Sequence, residues 1–491
     1  MRVLVALIAG AVSVFAYAPF GIFALMLLSL GALAWLLART ERIGTGFLFG
    51  FGWGFGAFMA GVSWLYIALH RYGGLPMPLS AVAIMLFSAY LALYPGMAAA
   101  LTVYLRPRGA LAQGGIFAAA WLLGEWLRGV VFTGFPWLAS GYTQTPPSPL
   151  SGYLPVLGVY GTGGIVALTA GILVFANWKR RRSATAAVAC ACALVAGGYG
   201  LARVAWTTPR DESITVALIQ TNIAQDLKWN SARLYDWLQV NADMVRSYPA
   251  QLTVLPETTL PLLVDDLPEG YLQALAQTAR EAGGDVVVGA FLRDGEGKVY
   301  NGALSLGASG QQTYHKRHLV PFGEYSPPLF GWFFRMMNMP MSDQYPGDRK
   351  QSPMMLGTQR IAINICYEDL FGAELLDSLP EATLMLNLSN LAWYGHSWAQ
   401  PQHLQIARVR ALETGRPMLR STNTGMTAII RPDGTVLDVL PEFQRGALHA
   451  EVRGFDGSTP FARWGNRPAL ILAIGMLSLA FGRKMLFRFH G

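Results

Sequence analysis

Two hydrophobic rhythms divide the chain. Up to about residue 206 the apolar positions come in long unbroken blocks, roughly 3–17, 20–38, 46–68, 79–105, 110–131, 154–177 and 184–206, and one more block follows near 467–482. Blocks of about 20 apolar residues match the thickness of bilayer hydrocarbon, so the pattern predicts eight transmembrane helices. Seven precede the intervening stretch and one follows it. Between them the rhythm shortens. Strands are predicted at 214–220, 252–255, 285–292, 300–306, 361–365, 383–387, 418–422 and 426–431, and helices at 232–246, 271–282 and 402–413. Alternating strands and helices over this length predict one α/β domain with a layered sheet under helical cover. Pro432-Asp433-Gly434 is a turn. The predicted organisation is a membrane domain at 1–210, an inserted domain at 211–456, and a last span with a tail at 457–491.

Charge gives the insertion a side. Before Asp211 only Glu41 and Glu125 are acidic, against 13 Lys and Arg; from 211 to 456 there are 27 acidic and 19 basic residues, and after 456 five basic and none acidic. If all eight blocks cross, Arg2, the pair Arg39 and Arg42, the pair Arg106 and Arg108, the run 179–182, and Arg483, Lys484 and Arg488 share one face. The positive-inside rule makes that face cytoplasmic. The acidic domain then lies in a bacterial periplasm, both termini are cytoplasmic, and the membrane is the inner one. With the basic excess confined to membrane flanks, nucleic acid is not an expected partner.

The candidate chemistry sits where apolar runs end. Leu252-Thr253-Val254-Leu255-Pro256-Glu257 finishes a strand with a carboxylate. Tyr314-His315-Lys316 leads through an apolar turn to Glu324, and Ile361-Ala362-Ile363-Asn364-Ile365 delivers Cys366, followed by Tyr367 and Glu368. The C-terminal ends of strands are where α/β sheets usually keep their chemistry. A thiol of ordinary pKa needs a base or a positive neighbour to attack at neutral pH, and Glu257 and Lys316 can supply one each. Singly, Glu257 reads equally as a helix cap, Lys316 as a solvated charge and Cys366 as core filler. A Cys-His dyad using His396 or His403 is a further reading, and His315 and His318 lack metal-ligand spacing, so no metal and no cofactor is expected. Cys190 and Cys192 fall in an apolar block, which leaves no disulfide framework around Cys366. Glu125 and Arg128, three apart on one helix face, are expected to neutralise each other.

Together the three settings resemble the Glu-Lys-Cys triad of the nitrilase superfamily. Arg128-Gly129, Thr133-Gly134-Phe135-Pro136-Trp137-Leu138, Gly141-Tyr142, Trp229 after Lys228, Ser421-Thr422-Asn423 with Gly425, and Thr459-Pro460 with Arg463 narrow the resemblance to its membrane-embedded branch, the apolipoprotein N-acyltransferases. The implied fold is an eight-span bundle carrying a nitrilase-like αββα sandwich. The implied reaction moves an acyl chain from the sn-1 position of a phospholipid, phosphatidylethanolamine, through a Cys366 thioester to the α-amine of a diacylated apolipoprotein. Glu257 is then the base and Lys316 the oxyanion's counter-charge, with Glu324, Tyr367 and Glu368 supporting and Trp229 holding substrate. The family commonly has an acidic residue where this chain has Leu391. Two rival readings are a membrane-anchored amidohydrolase and a transporter. Seven leading spans exceed what an anchor needs, and spans nearly free of ionisable residues argue against transport.

Overall fold

The isoleucines at 361, 363 and 365 face one way and Ala362 the other, and the whole inserted region is layered on this alternation. In the computed structural model, which describes residues 1–228, 231–326 and 343–489, the chain forms two units. One gathers Met1–Tyr66, Pro76–Ala205 and Thr459–Gly491, and the other Ile67–Leu75 with Trp206–Ser458.

The second unit holds two sheets. The first runs in the order β13-β1-β2-β4-β5-β6, with β3 beside β4; its strands are β1 Thr207–Gln220, β2 Leu252–Val254, β3 Leu260–Leu263, β4 Asp285–Arg293, β5 Val299–Gly307, β6 Gln312–His315 and β13 Gly446–Gly457. The other runs β12-β11-β10-β9-β8-β7, from β7 Met354–Leu356, β8 Gln359–Ile365, β9 Leu384–Ser389, β10 Met418–Thr422, β11 Ala428–Ile430 and β12 Val436–Val439. Ile214, Val216, Leu218, Val254 and Val287 of the first sheet meet Ile361, Ile363, Ile365, Leu386 and Leu419 of the second in one buried core. The alternate residues Val286, Val288 and Ala290 turn outward onto Leu238, Val245, Leu275 and Ala279 of helices Leu234–Ser247 and Tyr271–Glu281. On the far side Ala362, Met385 and Met418 take Leu404, Ala407 and Ala411 of helix Ala399–Thr414. Four layers follow, helix, sheet, sheet, helix. Strands β3, β6, β7, β12 and β13 add to those expected. The segment Ile67–Leu75 belongs to this unit too: Tyr72 stands edge-on to Trp393 at 5.6 Å, and Arg71 lies 3.8 Å from Asp226.

Among the described residues of the first unit, five helices are long and apolar enough to cross a bilayer: Ile43–Gly61, Met77–Leu105, Ser151–Phe175, Arg181–Leu201 and Arg467–Leu486. Arg2–Ala16 and Ala24–Ala38 are apolar but shorter, and Ala110–Arg128 is diluted by Gln113, Glu125 and Arg128. Glycine lets the helices touch backbone to backbone. A methyl on Gly50 would fall 2.2 Å from the Pro95 carbonyl oxygen and one on Gly56 2.1 Å from that of Leu7. Two expectations are corrected. The block read as 46–68 contains a helix that stops at Gly61, whose carbonyl accepts the Trp64 indole N–H at 3.0 Å. Glu125 and Arg128 turn to the following segment instead of to each other: Glu125 accepts the Ser140 N–H at 2.7 Å and its hydroxyl at 3.0 Å, while Arg128 donates to the carbonyls of Phe135 and Trp137. In a setting poor in water, backbone groups of an irregular segment need such partners more than two side chains need each other.

Candidate active site

Cys366 follows the last residue of β8 and opens a tight 3-10 turn, Cys366–Leu370, with its own φ at +50°. A non-glycine residue in the left-handed region is held there by its surroundings. Glu368 does the holding. Its buried carboxylate accepts the N–H of Ile365 at 2.6 Å, of Arg317 at 2.7 Å and of His318 at 3.2 Å, and the Tyr314 hydroxyl at 3.0 Å. One side chain thereby ties the cysteine turn to the segment that carries Lys316. Burial pushes the Glu368 carboxyl up, and these backbone donors oppose it. Tyr367 is buried, its ring edge-on to His318 at 5.7 Å and to Phe371 at 5.1 Å.

Lys316, just past β6, is 1 % exposed. Its Nζ donates to Glu257 Oε1 at 3.1 Å and to Glu324 Oε1 at 2.7 Å. Burial alone would strip its proton, but the two carboxylates outweigh burial and hold the ammonium well above the usual lysine range. Glu257 is placed by the turn after β2. It accepts the Asn301 amide at 2.9 Å on Oε1 and the Asn390 backbone N–H at 2.8 Å on Oε2. Glu324 is fixed in turn by Asn301 at 2.9 Å and by the Val320 N–H at 2.7 Å. Burial, and then the negative charge of Glu257, push the Cys366 thiol up; Lys316 and the Asn390 N–H pull it down, and the net shift is upward. The resting sulfur is a thiol.

The site thus gathers Glu257, Lys316, Cys366, Glu324, Tyr367 and Glu368. Trp229 lies outside the described residues. Beyond the expected set, Asn301 sits on β5 and Asn390 just after β9, and the half-buried Tyr394 is close enough to Cys366 that, after burial, a sulfur charge would push its phenol up. A polar residue in an otherwise apolar strand was the one signal that could have marked Asn301. Underneath, His403 is engaged on both ring nitrogens, by Asp369 at 2.6 Å and by Arg420 at 2.6 Å. The guanidinium can only donate, so the Arg420 contact makes Nδ1 the acceptor and leaves the proton on Nε2, toward Asp369. Burial and Arg420 push this imidazole down, which keeps it neutral. His396 stacks on Phe443 at 3.7 Å. The Leu391 side chain is buried, and its carbonyl accepts the Gln400 amide at 3.1 Å.

Residues 9–172 match the apolipoprotein N-acyltransferase N-terminal domain, and residues 215–454 match the carbon-nitrogen hydrolase family. The apolipoprotein N-acyltransferase of Nitrosomonas europaea is 43% identical, covering 98% of this chain and 96% of its own. That of Ralstonia nicotianae is 45% identical over 97% and 92%, and that of Chromobacterium violaceum 43% over 98% and 94%. Similarity this high along both domains places the chain, an acyltransferase built on the carbon-nitrogen hydrolase fold, in the apolipoprotein N-acyltransferase family.

Proposed function

We propose that the protein N-acylates diacylated apolipoproteins, with Cys366 as nucleophile and a phospholipid as donor. The observation that carries this reading is the Lys316 ammonium held between Glu257 and Glu324 beside the half-buried Cys366 thiol. A thiol that rests protonated must lose its proton as it attacks, and the Glu257 carboxylate takes it. The sulfur bonds to the sn-1 ester carbon, and the carbonyl oxygen becomes an oxyanion that Lys316 stabilises. When the C–O bond breaks, the proton on Glu257 passes to the departing glycerol oxygen, giving lysophospholipid and a thioester. The lipoprotein α-amine then attacks the thioester carbon, Glu257 accepts a proton from the nitrogen, and the C–S bond breaks to regenerate the thiol. Glu324 keeps Lys316 charged, while Tyr367 and Glu368 shape the turn that aims the sulfur. Trp229 is the expected substrate-holding residue, and phosphatidylethanolamine is the expected donor.

Intact-mass measurement tests the thioester. Wild type incubated with phosphatidylethanolamine should gain a palmitoyl-sized, hydroxylamine-labile mass that a diacylated lipopeptide discharges, and Cys366→Ser should gain no hydroxylamine-labile mass. An adduct that water removes as fast as the lipopeptide does would make the protein a hydrolase instead.

The eight-block reading, with the catalytic domain periplasmic and both termini cytoplasmic, rests on the basic clusters at 179–182 and 483–488. Alkaline phosphatase fused after Asp265 should be active and after Arg182 inactive; the reverse would invert the topology.

A further inference from the structure

Lys228 is a buried cation that the mechanism above does not use. It ends the short helix Gln225–Lys228 and is 3 % exposed. Its partners among the described residues are the Thr258 hydroxyl at 2.5 Å and the backbone carbonyl of Glu257 at 3.4 Å, neither of them a carboxylate. A buried ammonium with only neutral acceptors is expensive to keep. Burial pushes it down to about 7, with the Glu257 charge opposing.

What it grips is strained. Thr258 has φ +47°, and a β-branched residue rarely occupies that region. The turn has no room to relax on the other side, because a methyl on Gly289 of β4 would fall 2.4 Å from the Pro256 carbonyl oxygen and 2.7 Å from the Glu257 Cα. The helix that bears Lys228 also reaches the other end of the glutamate. Gln225 Oε1 accepts the Asn390 side-chain amide at 2.9 Å, and the Asn390 N–H is the donor to Glu257 Oε2. One short segment therefore holds both the main chain and, through Asn390, the carboxylate of Glu257.

We propose that Lys228 is a positioning residue for acyl transfer: it locks the left-handed turn at Thr258 so that the Glu257 carboxylate faces the thiol. The inference rests on Glu257 being the base. Strain kept at a site by a costly buried charge is stored for function and lowers stability elsewhere.

The test measures the first-order rate of acyl-enzyme formation at saturating phospholipid in full-length wild type, Lys228→Met, Thr258→Gly and the double variant. Lys228→Met should slow acylation about thirtyfold, with the half-saturating phospholipid concentration changed less than about twofold. Its Tm should stay level or rise, because a buried charge is gone. Glycine adopts φ +47° without strain, so in the Thr258→Gly background the same change should cost less than about threefold. An equal loss in both backgrounds, a loss confined to half-saturation, or a Tm lowered by more than about 5 °C overturns the proposal. Glu257→Gln run alongside separates the two ideas: should it acylate normally, the base assignment itself fails, whereas an inactive Glu257→Gln with uncoupled Lys228 and Thr258 removes only the role of Lys228.

Discussion

Glu257→Gln should slow acyl-enzyme formation by about 10³-fold or more while the protein still folds. Loss of a general base alone removes on the order of 10²–10⁴. The remainder comes from geometry. Oε1 accepts from Lys316 and Asn301, and Oε2 accepts from the Asn390 N–H, so all three neighbours are donors. A glutamine presents an NH₂ to one of these sets and meets donor with donor, which costs about 1–3 kcal/mol and turns the side chain from its aim. The thiol is left without a proton acceptor beside it, in surroundings that already keep it protonated. Quenched-flow mass measurement of the thioester decides the matter, and a glutamine variant within tenfold of wild type would exclude Glu257 as base.

Lys316→Met should slow acyl-enzyme formation by about 10²–10³-fold and should also reverse part of the pH dependence of stability. In the native protein the ammonium sits within 3.1 Å of Glu257 and 2.7 Å of Glu324. Its folded-state pKa is raised, so its contribution is fully present below the ordinary lysine value and is lost only as pH rises through the higher folded value. Near neutrality nothing of it is missing. Without it two buried carboxylates face each other and one must hold a proton. The variant's stability should therefore fall as pH rises from about 5 to 8, since ionising both groups opposes folding. Removing one partner of a buried ionic set costs about 3–5 kcal/mol, and loss of oxyanion charge about 10²–10³ in rate. Thermal unfolding followed across that pH range, with thioester formation measured in parallel, checks both; a Tm that climbs with pH would refute the shared-proton picture.

Much of the site was legible because its reactive residues interrupt apolar runs. Glu257 and Cys366 each follow a predicted strand, and strand ends are where a sheet leaves room for chemistry; the strand before Lys316, Gln312–His315, has no apolar run to announce it. The residues that hold them were not legible. Asn301 looks like a polar blemish in a buried strand and Asn390 like an ordinary loop residue, and their purpose appears only when β5 and the segment after β9 meet at one carboxylate. Helix Ala399–Thr414 misleads by composition: His403, Arg410 and Glu413 suggest a solvated face, yet all are buried because Arg410 pairs with Glu413 at 2.9 Å and His403 with Asp369. Strand β13 escaped because its buried Leu448 and Val452 are separated by charged and small residues, with no apolar run to mark it. The block at 46–68 was read too long because hydropathy registers apolar residues without registering which partner buries them. Past Gly61 the end of that run, Ile67 and Ala68, belongs to the other unit.

The pairing of β1 with β13 has a consequence for how the inserted domain is made. Thr207 stands opposite Gly457 and Gln220 opposite Gly446, so the first and last strands of the insertion are antiparallel neighbours. Closing a flexible loop of roughly 250 residues costs about 5 kcal/mol of chain entropy, and this pairing restricts that closure to a fixed junction of two adjacent chain ends. The order of events on the ribosome follows. β1 can find its parallel partner β2 early, but its other edge stays open until residue 457 has been synthesised. An exposed edge of that length is a template for wrong pairing, so the domain is most vulnerable to aggregation just before its last strand arrives.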